Sequence, residues 1–321
     1  MIEKKMTFIS AQPDVQYFHW QVEVFIHNAM KNGINPNWIE IIFSYDGQIS
    51  KEGSDLASRY PFVRFFFYER QKEPDFGYIP LLRPHILEQH FLKYPQLSSE
   101  TIFYHDSDII FRELPDFNSM LKDDTWYLSD TISYIGSDYI KSKSDQLLSD
   151  MCHIAGISRD LVESNNQNSG GAQYLMKNID HNFWADVKKV SLDLYKYMSG
   201  REIAERKNLA SHDVQSYNPI QKWCADMWAV LWCGLKRGND IRISDELSFS
   251  WGSSYGKEQW EKHKIMHNAG VTSDNNGSNF YKAKYINSAP WDDDFSLIDP
   301  DCNGYNYVQA ILYAKERRNL L

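Results

Sequence analysis

The segment TIFYHDSDIIFRELPDF (101–117) sets two carboxylates, Asp106 and Asp108, one residue apart at the end of an apolar, β-forming run. Carboxylate oxygens are hard ligands suited to Mg²⁺ or Mn²⁺, with phosphate oxygens filling the remaining positions. Where a strand unwinds into a loop, Asp106 and Asp108 can both turn toward one ion around Ser107. A solvated polar turn has the same spelling, so the pair needs company. Three other places offer it. QNSGGAQYLMKN (167–178) sets Asn168, Ser169, Gly170 and Gly171 before an apolar strand, and paired glycines let backbone amides approach a ligand closely. The plain alternative there is a tight turn. KWCADMWAVLW (222–232) carries one acid, Asp226, in an otherwise apolar helix, where a buried carboxylate is costly unless paired or used. KIMHNAG (264–270) places His267 just after a short apolar run, and a lone histidine is more often structural than a ligand.

These residues need a scaffold. KMTFISA reads as a first strand. QYFHWQVEVFIHNAMKNG follows with Phe18, Val22, Phe25, Ile26 and Met30 on one helix face, and Gly33 stands where a C-terminal cap belongs. WIEIIFSYDG and PFVRFFFYE read as the second and third strands, IPLLRPHILEQHFLKY as a helix and ETIFYHD as a strand. This order predicts a mixed, mostly parallel α/β sheet flanked by helices, and such sheets gather ligands at the carboxyl ends of their strands. Asp106 and Asp108 lie at one such end. Beyond them, TWYLSD (125–130) and SGGAQYLMKN read as strands. HNFWADVKKVSLDLYKYM and PIQKWCADMWAVLWCGLKRG read as helices, and a closing helix is expected around VQAILYAKERR. No linker or repeat interrupts the 321 residues, so one domain is expected over 1–321, with a ligand-binding half (1–130) and a second half that adds the C-terminal closure (131–321).

The totals narrow the function classes. Net charge is −9, with no basic cluster longer than KERR, which leaves no electrostatic footprint for a nucleic-acid backbone. Cys152, Cys224, Cys233 and Cys302 have no CxxC spacing and read as reduced thiols. The opening MIEKKMTFIS has no signal-like apolar stretch, and no run reaches the roughly 18 residues of a membrane span, so a cytoplasmic setting is expected. Aromatics make up 15% of the chain, enough to line a sugar or base site as well as a core.

In this order and spacing, Asp106-Ser107-Asp108, Ser169-Gly170-Gly171, Asp226 and His267 resemble the pattern of the nucleotide-sugar glycosyltransferases of the GT-A fold. The resemblance spans most of residues 5–291. YFHWQ (17–21), RPHIL (83–87) and ADMW (225–228) look most like the plant hydroxyproline arabinosyltransferases and peptidyl-serine galactosyltransferases. The resemblance implies an enzyme that moves a pentose or hexose from a nucleotide sugar, a UDP-sugar by preference, to an acceptor hydroxyl on a protein, glycan or hydroxylated DNA base. It implies Mn²⁺ or Mg²⁺ held by Asp106, Asp108 and His267, a nucleoside cupped by Ala11 and Gln12, and donor contacts from Arg83 and Lys282 (or Lys284). It also implies Asp226 facing the acceptor, as the base of an inverting enzyme or as a donor or acceptor contact in a retaining one, with Asp130 as a further sugar contact. Competing readings are an aspartate-nucleophile phosphatase, a nucleotidyltransferase and an inactive nucleotide-sugar-binding protein. The phosphatase motif normally opens its fold, whereas about 100 residues precede Asp106. The nucleotidyltransferase usually carries a Gly-rich, basic loop, and SAQPDVQYFHW has none.

Overall fold

The computed structural model describes residues 2, 5–70, 77–209 and 217–318. Its strands are β1 (Thr7–Pro13), β2 (Ile39–Tyr45), β3 (Arg64–Glu69), β4 (Ile102–Tyr104), β5 (Ile109–Phe111), β6 (Trp126–Asp130), β7 (Gly170–Met176), β8 (Ile241–Ile243), β9 (Phe249–Trp251) and β10 (Ile265–His267). Seven of them form one sheet in the order β3-β2-β1-β4-β7-β6-β8, and β5-β10-β9 form a second, smaller one. Within the large sheet β7 runs antiparallel to both its neighbours, β4 and β6, and every other pairing is parallel. The α/β class read from the sequence is the one observed, and the β4–β7 pairing joins strands from residues 1–130 and 131–321 in one sheet.

The helices that frame the two sheets include α1 (Gln16–Lys31), α2 (Lys51–Arg59), α3 (Leu82–Lys93), α4 (His181–Asn208), α5 (Ala225–Lys236) and α6 (Asn303–Arg317). Successive side chains of a strand point to opposite faces, and the core divides accordingly. Phe8, Ile41 and Phe43 pack with Val22, Phe25 and Ile26 of α1 on one face. Ile9 and Ile42 pack on the other with Ile86 and Leu87 of α3, Trp184 of α4 and Trp228 of α5. Being covered on both sides, β1 and β2 are buried almost throughout, as central parallel strands are, with Phe and Ile filling both faces. Each such side chain taken fully from water stabilises the fold by about 1.5–3 kcal/mol. A third cluster joins Trp20 and Val24 of α1 to Tyr307, Val308 and Ile311 of α6, and to Ile110 and Met266 of the small sheet.

Gly33 has φ +86° directly after α1, and its N–H donates to the Met30 carbonyl, as expected of a cap. Helix α2 was not expected. Its KEGSDLASR sequence buries only Gly53 and Leu56, too little for a periodic signal, and what starts it is Ser50, whose hydroxyl accepts from the Gly53 N–H. Among the described residues the four cysteines are free, and no helix is long and apolar enough to cross a membrane.

Candidate metal and substrate site

β4 ends at Tyr104 in the large sheet, and β5 begins at Ile109 in the small one, so His105–Asp108 is the joint between the two sheets. Strand β10 pairs antiparallel with β5, setting His267 opposite Ile109, and the Asn268 N–H donates to the Asp108 carbonyl at 2.9 Å. That register delivers the His267 ring to the carboxylates. Its Nε2 lies 3.2 Å from Asp108 Oδ1 and 3.4 Å from Asp106 Oδ2. One ligand atom from each of Asp106, Asp108 and His267 falls within 4.8 Å of the others. Two carboxylates and an imidazole converging this closely, at the carboxyl end of a central strand, fit a hard divalent cation.

Cations of the chain itself flank the acids. Lys282 Nζ donates to Asp108 Oδ2. Burial works against the Asp108 carboxylate, yet the Lys282 ammonium and the His267 ring hold it well below the usual carboxylate range. Arg83, in the first turn of α3, reaches Asp106 Oδ1 at 2.8 Å and Asp226 Oδ2 at 3.6 Å. Asp226 opens α5, where the Tyr78 hydroxyl accepts from its N–H at 2.9 Å and lies 3.2 Å from its Oδ1. Burial pushes this carboxyl up to about 6 against the pull of Arg83.

His267 is held from behind. Between Leu128 and Ser129 the β6–β7 register shifts, so Leu128 faces Tyr174 but Ser129 faces Gly171, leaving Ala172 and Gln173 as a bulge. Ala172 adopts φ +66°, a left-handed conformation that costs a non-glycine residue free energy. The bulge aims the fully buried Gln173 at the site. Its amide oxygen accepts from the Ser129 hydroxyl at 2.6 Å, and its amide nitrogen lies 3.5 Å from His267 Nδ1. The indole of Trp251 lies parallel to the imidazole, with ring centroids 6.4 Å apart.

The cleft over these groups is lined by Pro13, Tyr17, Phe18, Ile79, Trp223 and Lys282, together with Arg83, Asp106, Ser107, Asp108 and His267. Ala11 and Gln12 are buried within β1 beside Pro13, and the Gln12 amide donates to the Ile42 carbonyl. Lys284 pairs with Asp274 instead of joining the site. Asp130 is exposed at the end of β6, its Oδ1 accepting from the Ile132 N–H at 3.0 Å. Ser169 is buried, and its carbonyl accepts from the Thr131 hydroxyl. A Cβ on Gly170 would stand 2.4 Å from Leu128 Cβ, and one on Gly171 would stand 2.4 Å from Met227 Cε. These two glycines answer to close packing of β7 against β6 and α5. Sequence reasoning missed Tyr17, Tyr78, Gln173 and Trp223. Trp223 had a visible signal, standing three residues before Asp226, but it read as part of a helix that begins only at Ala225.

No family model and no curated protein sequence matches the chain. Solved structures do. The bifunctional glycosyltransferase WbbM, in its apo form, superposes with a TM-score of 0.51 at 10% identity, covering 97% of this chain and 50% of that one. GlyE of Streptococcus pneumoniae TIGR4 gives 0.46 at 9% identity, covering 99% and 64%. A glycosyltransferase involved in glycosylating the major capsid of PBCV-1 gives 0.39 at 13% identity, covering 84% and 95%. The chain spans about half the length of WbbM, and over that length it has the GT-A fold, a mostly parallel sheet flanked by helices.

Proposed function

We propose that this chain is a metal-dependent glycosyltransferase that moves a sugar from a nucleotide donor, UDP-linked by resemblance, to an acceptor hydroxyl. The observation that carries the reading is the convergence of Asp106, Asp108 and His267 within 4.8 Å, with Lys282 on Asp108 and Arg83 on Asp106. A divalent cation held there supplies charge neutralisation for a departing nucleoside diphosphate. Lys282 and Arg83 supply the remaining positive charge, fixed in place before the substrate arrives. Asp226, which shares an Arg83 guanidinium nitrogen with Asp106, takes the proton of the acceptor hydroxyl. The acceptor oxygen bonds to the anomeric carbon, the bond from that carbon to the diphosphate oxygen breaks, and the diphosphate leaves with the electron pair. A carboxyl raised to about 6 is ionised at neutral pH yet basic enough to accept that proton. UDP-galactose and UDP-arabinose are the first donors to try, from the resemblance to the plant enzymes. Ala11 and Gln12 belong to the nucleoside side of this reading and Asp130 to the sugar side.

The test is a panel of nucleotide sugars with and without Mn²⁺, scored for released nucleoside diphosphate. Turnover of one donor, only with metal, is expected. Failure of every donor to bind or react would remove the assignment.

A further inference from the structure

Trp223 differs from the other tryptophans among the described residues. Five of them, Trp20, Trp126, Trp184, Trp228 and Trp232, are core side chains, whereas Trp223 is 53% exposed. It opens onto the cleft that holds Asp106, Asp108 and Lys282, where Ile79 is likewise 52% exposed. A large apolar face left in water at a polar site marks a place where something binds.

Its position is fixed by Tyr78. The Tyr78 ring stacks on Tyr195, with centroids 4.1 Å apart and 15° between planes, and meets the Trp223 indole edge-on at 5.7 Å. Its hydroxyl donates to the Trp223 carbonyl at 3.0 Å and accepts from the Asp226 N–H. One buried tyrosine therefore ties an exposed indole to the carboxylate three residues on. A hydrophobic plane and a hydrogen-bond acceptor held in fixed relation suit a ligand with one apolar face and a polar edge.

Resting on the glycosyltransferase reading, we propose that Trp223 is the platform for a sugar ring of the acceptor, and that the ring presents one hydroxyl to Asp226. The C–H face of a pyranose carries partial positive charge and suits the negative face of an indole, while its hydroxyls project from the rim. A nucleic-acid base also stacks on tryptophan, but it brings phosphates. Against those stand a net charge of −9 and the commitment of the two cleft cations, Arg83 and Lys282, to the diphosphate of the donor in this reading. A serine in a peptide has no ring to cover the indole, and the five-membered ring of hydroxyproline covers less of it than a pyranose does. The acceptor is thus a saccharide.

The test compares the wild type with Trp223→Ala and Trp223→Phe. Each is given the donor found in the nucleotide-sugar panel, Mn²⁺, and one of three acceptors: methyl glycosides, a serine- and hydroxyproline-containing peptide, or an oligonucleotide with hydroxymethylated cytosine. Methyl glycosides should raise diphosphate release by the wild type. The glycoside KM should rise about tenfold in Trp223→Ala, equivalent to ~1.4 kcal/mol, with most of the loss restored in Trp223→Phe. Stimulation by the peptide or the oligonucleotide but not by glycosides, or the same glycoside KM in Trp223→Ala, would overturn the proposal. Saturation-transfer NMR of the methyl glycosides decides the platform without turnover: ring C–H signals should be lost in Trp223→Ala, and their persistence would sink it. A wild type that consumes no donor would remove the functional reading, while this NMR comparison still judges Trp223.

Discussion

The Arg83 guanidinium holds Asp106 at 2.8 Å from the first turn of α3. The same nitrogen is 3.6 Å from Asp226, so one cation is shared by Asp106 and Asp226. Arg83 draws the Asp226 pKa downward while burial raises it. Replacing it with glutamine removes that pull. In Arg83→Gln, kcat/KM should fall by about 100-fold, as when a charge-stabilising donor is lost. The acid limb of its pH profile should move upward from about 6, because Asp226 must then lose its proton against burial and the Asp106 charge without that cation. A profile measured from pH 4.5 to 9 that keeps its midpoint would show that Arg83 does not act on Asp226.

Asp108 faces His267 on one oxygen and Lys282 on the other, whereas Asp106 shares its charge with Arg83. Asp108→Asn should therefore weaken Mn²⁺ binding more than the ~10–100-fold that loss of an outer partner causes. Titration of Mn²⁺ by electron paramagnetic resonance, with and without UDP, measures this. Binding equal to the wild type would end the central role given to the pair.

Gln173 reaches His267 only because β7 bulges at Ala172. A histidine that ligates through Nε2 carries its proton on Nδ1, so on metal binding the Gln173 amide must turn its oxygen to that proton, its nitrogen then donating to the Ser129 hydroxyl. Gln173→Leu keeps the bulk but loses that partner. Mn²⁺ affinity should drop about tenfold, and the His267 nitrogen shifts in NMR should show mixed tautomers before metal is added. Unchanged shifts would leave Gln173 a packing residue.

How much of this was legible in the sequence follows from how local each signal is. Asp106, Asp108, Asp226 and His267 were readable because a charged or titratable type stood out against an apolar run. Lys282 lies fifteen positions beyond His267, and nothing local says that the intervening loop folds back to place its ammonium on Asp108. Gln173 was hidden by the bulge: strict alternation along SGGAQYLM says nothing of a register shift that originates in pairing with β6. Helix α2 was hidden by its polarity. The glycine pair was found through its backbone freedom, but the packing that also demands it could not be read, since Leu128 fills the space beside Gly170 from another strand.

That last point is testable. A Cβ at residue 170 would sit 2.4 Å from Leu128 Cβ and 2.7 Å from the Ser129 carbonyl oxygen, both rigid neighbours. Gly170→Ala should destabilise the protein by about 1–3 kcal/mol, the usual cost of overpacking a core. Urea midpoints for wild type and variant would check it, and equal midpoints would show that β6 and β7 can separate freely here.

Asp226 carries opposite demands. Its folded pKa of about 6 stands above the ordinary 3.8, so the folded state prefers the protonated acid. The stability this proton brings is fully present below about pH 3.8 and is lost as pH rises through about 6. Above pH 7 the ionised, buried carboxylate should cost the fold up to ~3 kcal/mol, about two pK units at ~1.36 kcal/mol each. Asp226→Asn removes that cost, so its thermal midpoint should exceed the wild type's at pH 7.5, with the gap closing by pH 4. The same change deletes the acceptor base and should lower turnover by about 10²–10⁴-fold. A variant more stable only at high pH and nearly inactive would mean the carboxylate is kept for chemistry at the fold's expense. A stability difference independent of pH, or unimpaired turnover, would make Asp226 a core residue held by Arg83 and Tyr78.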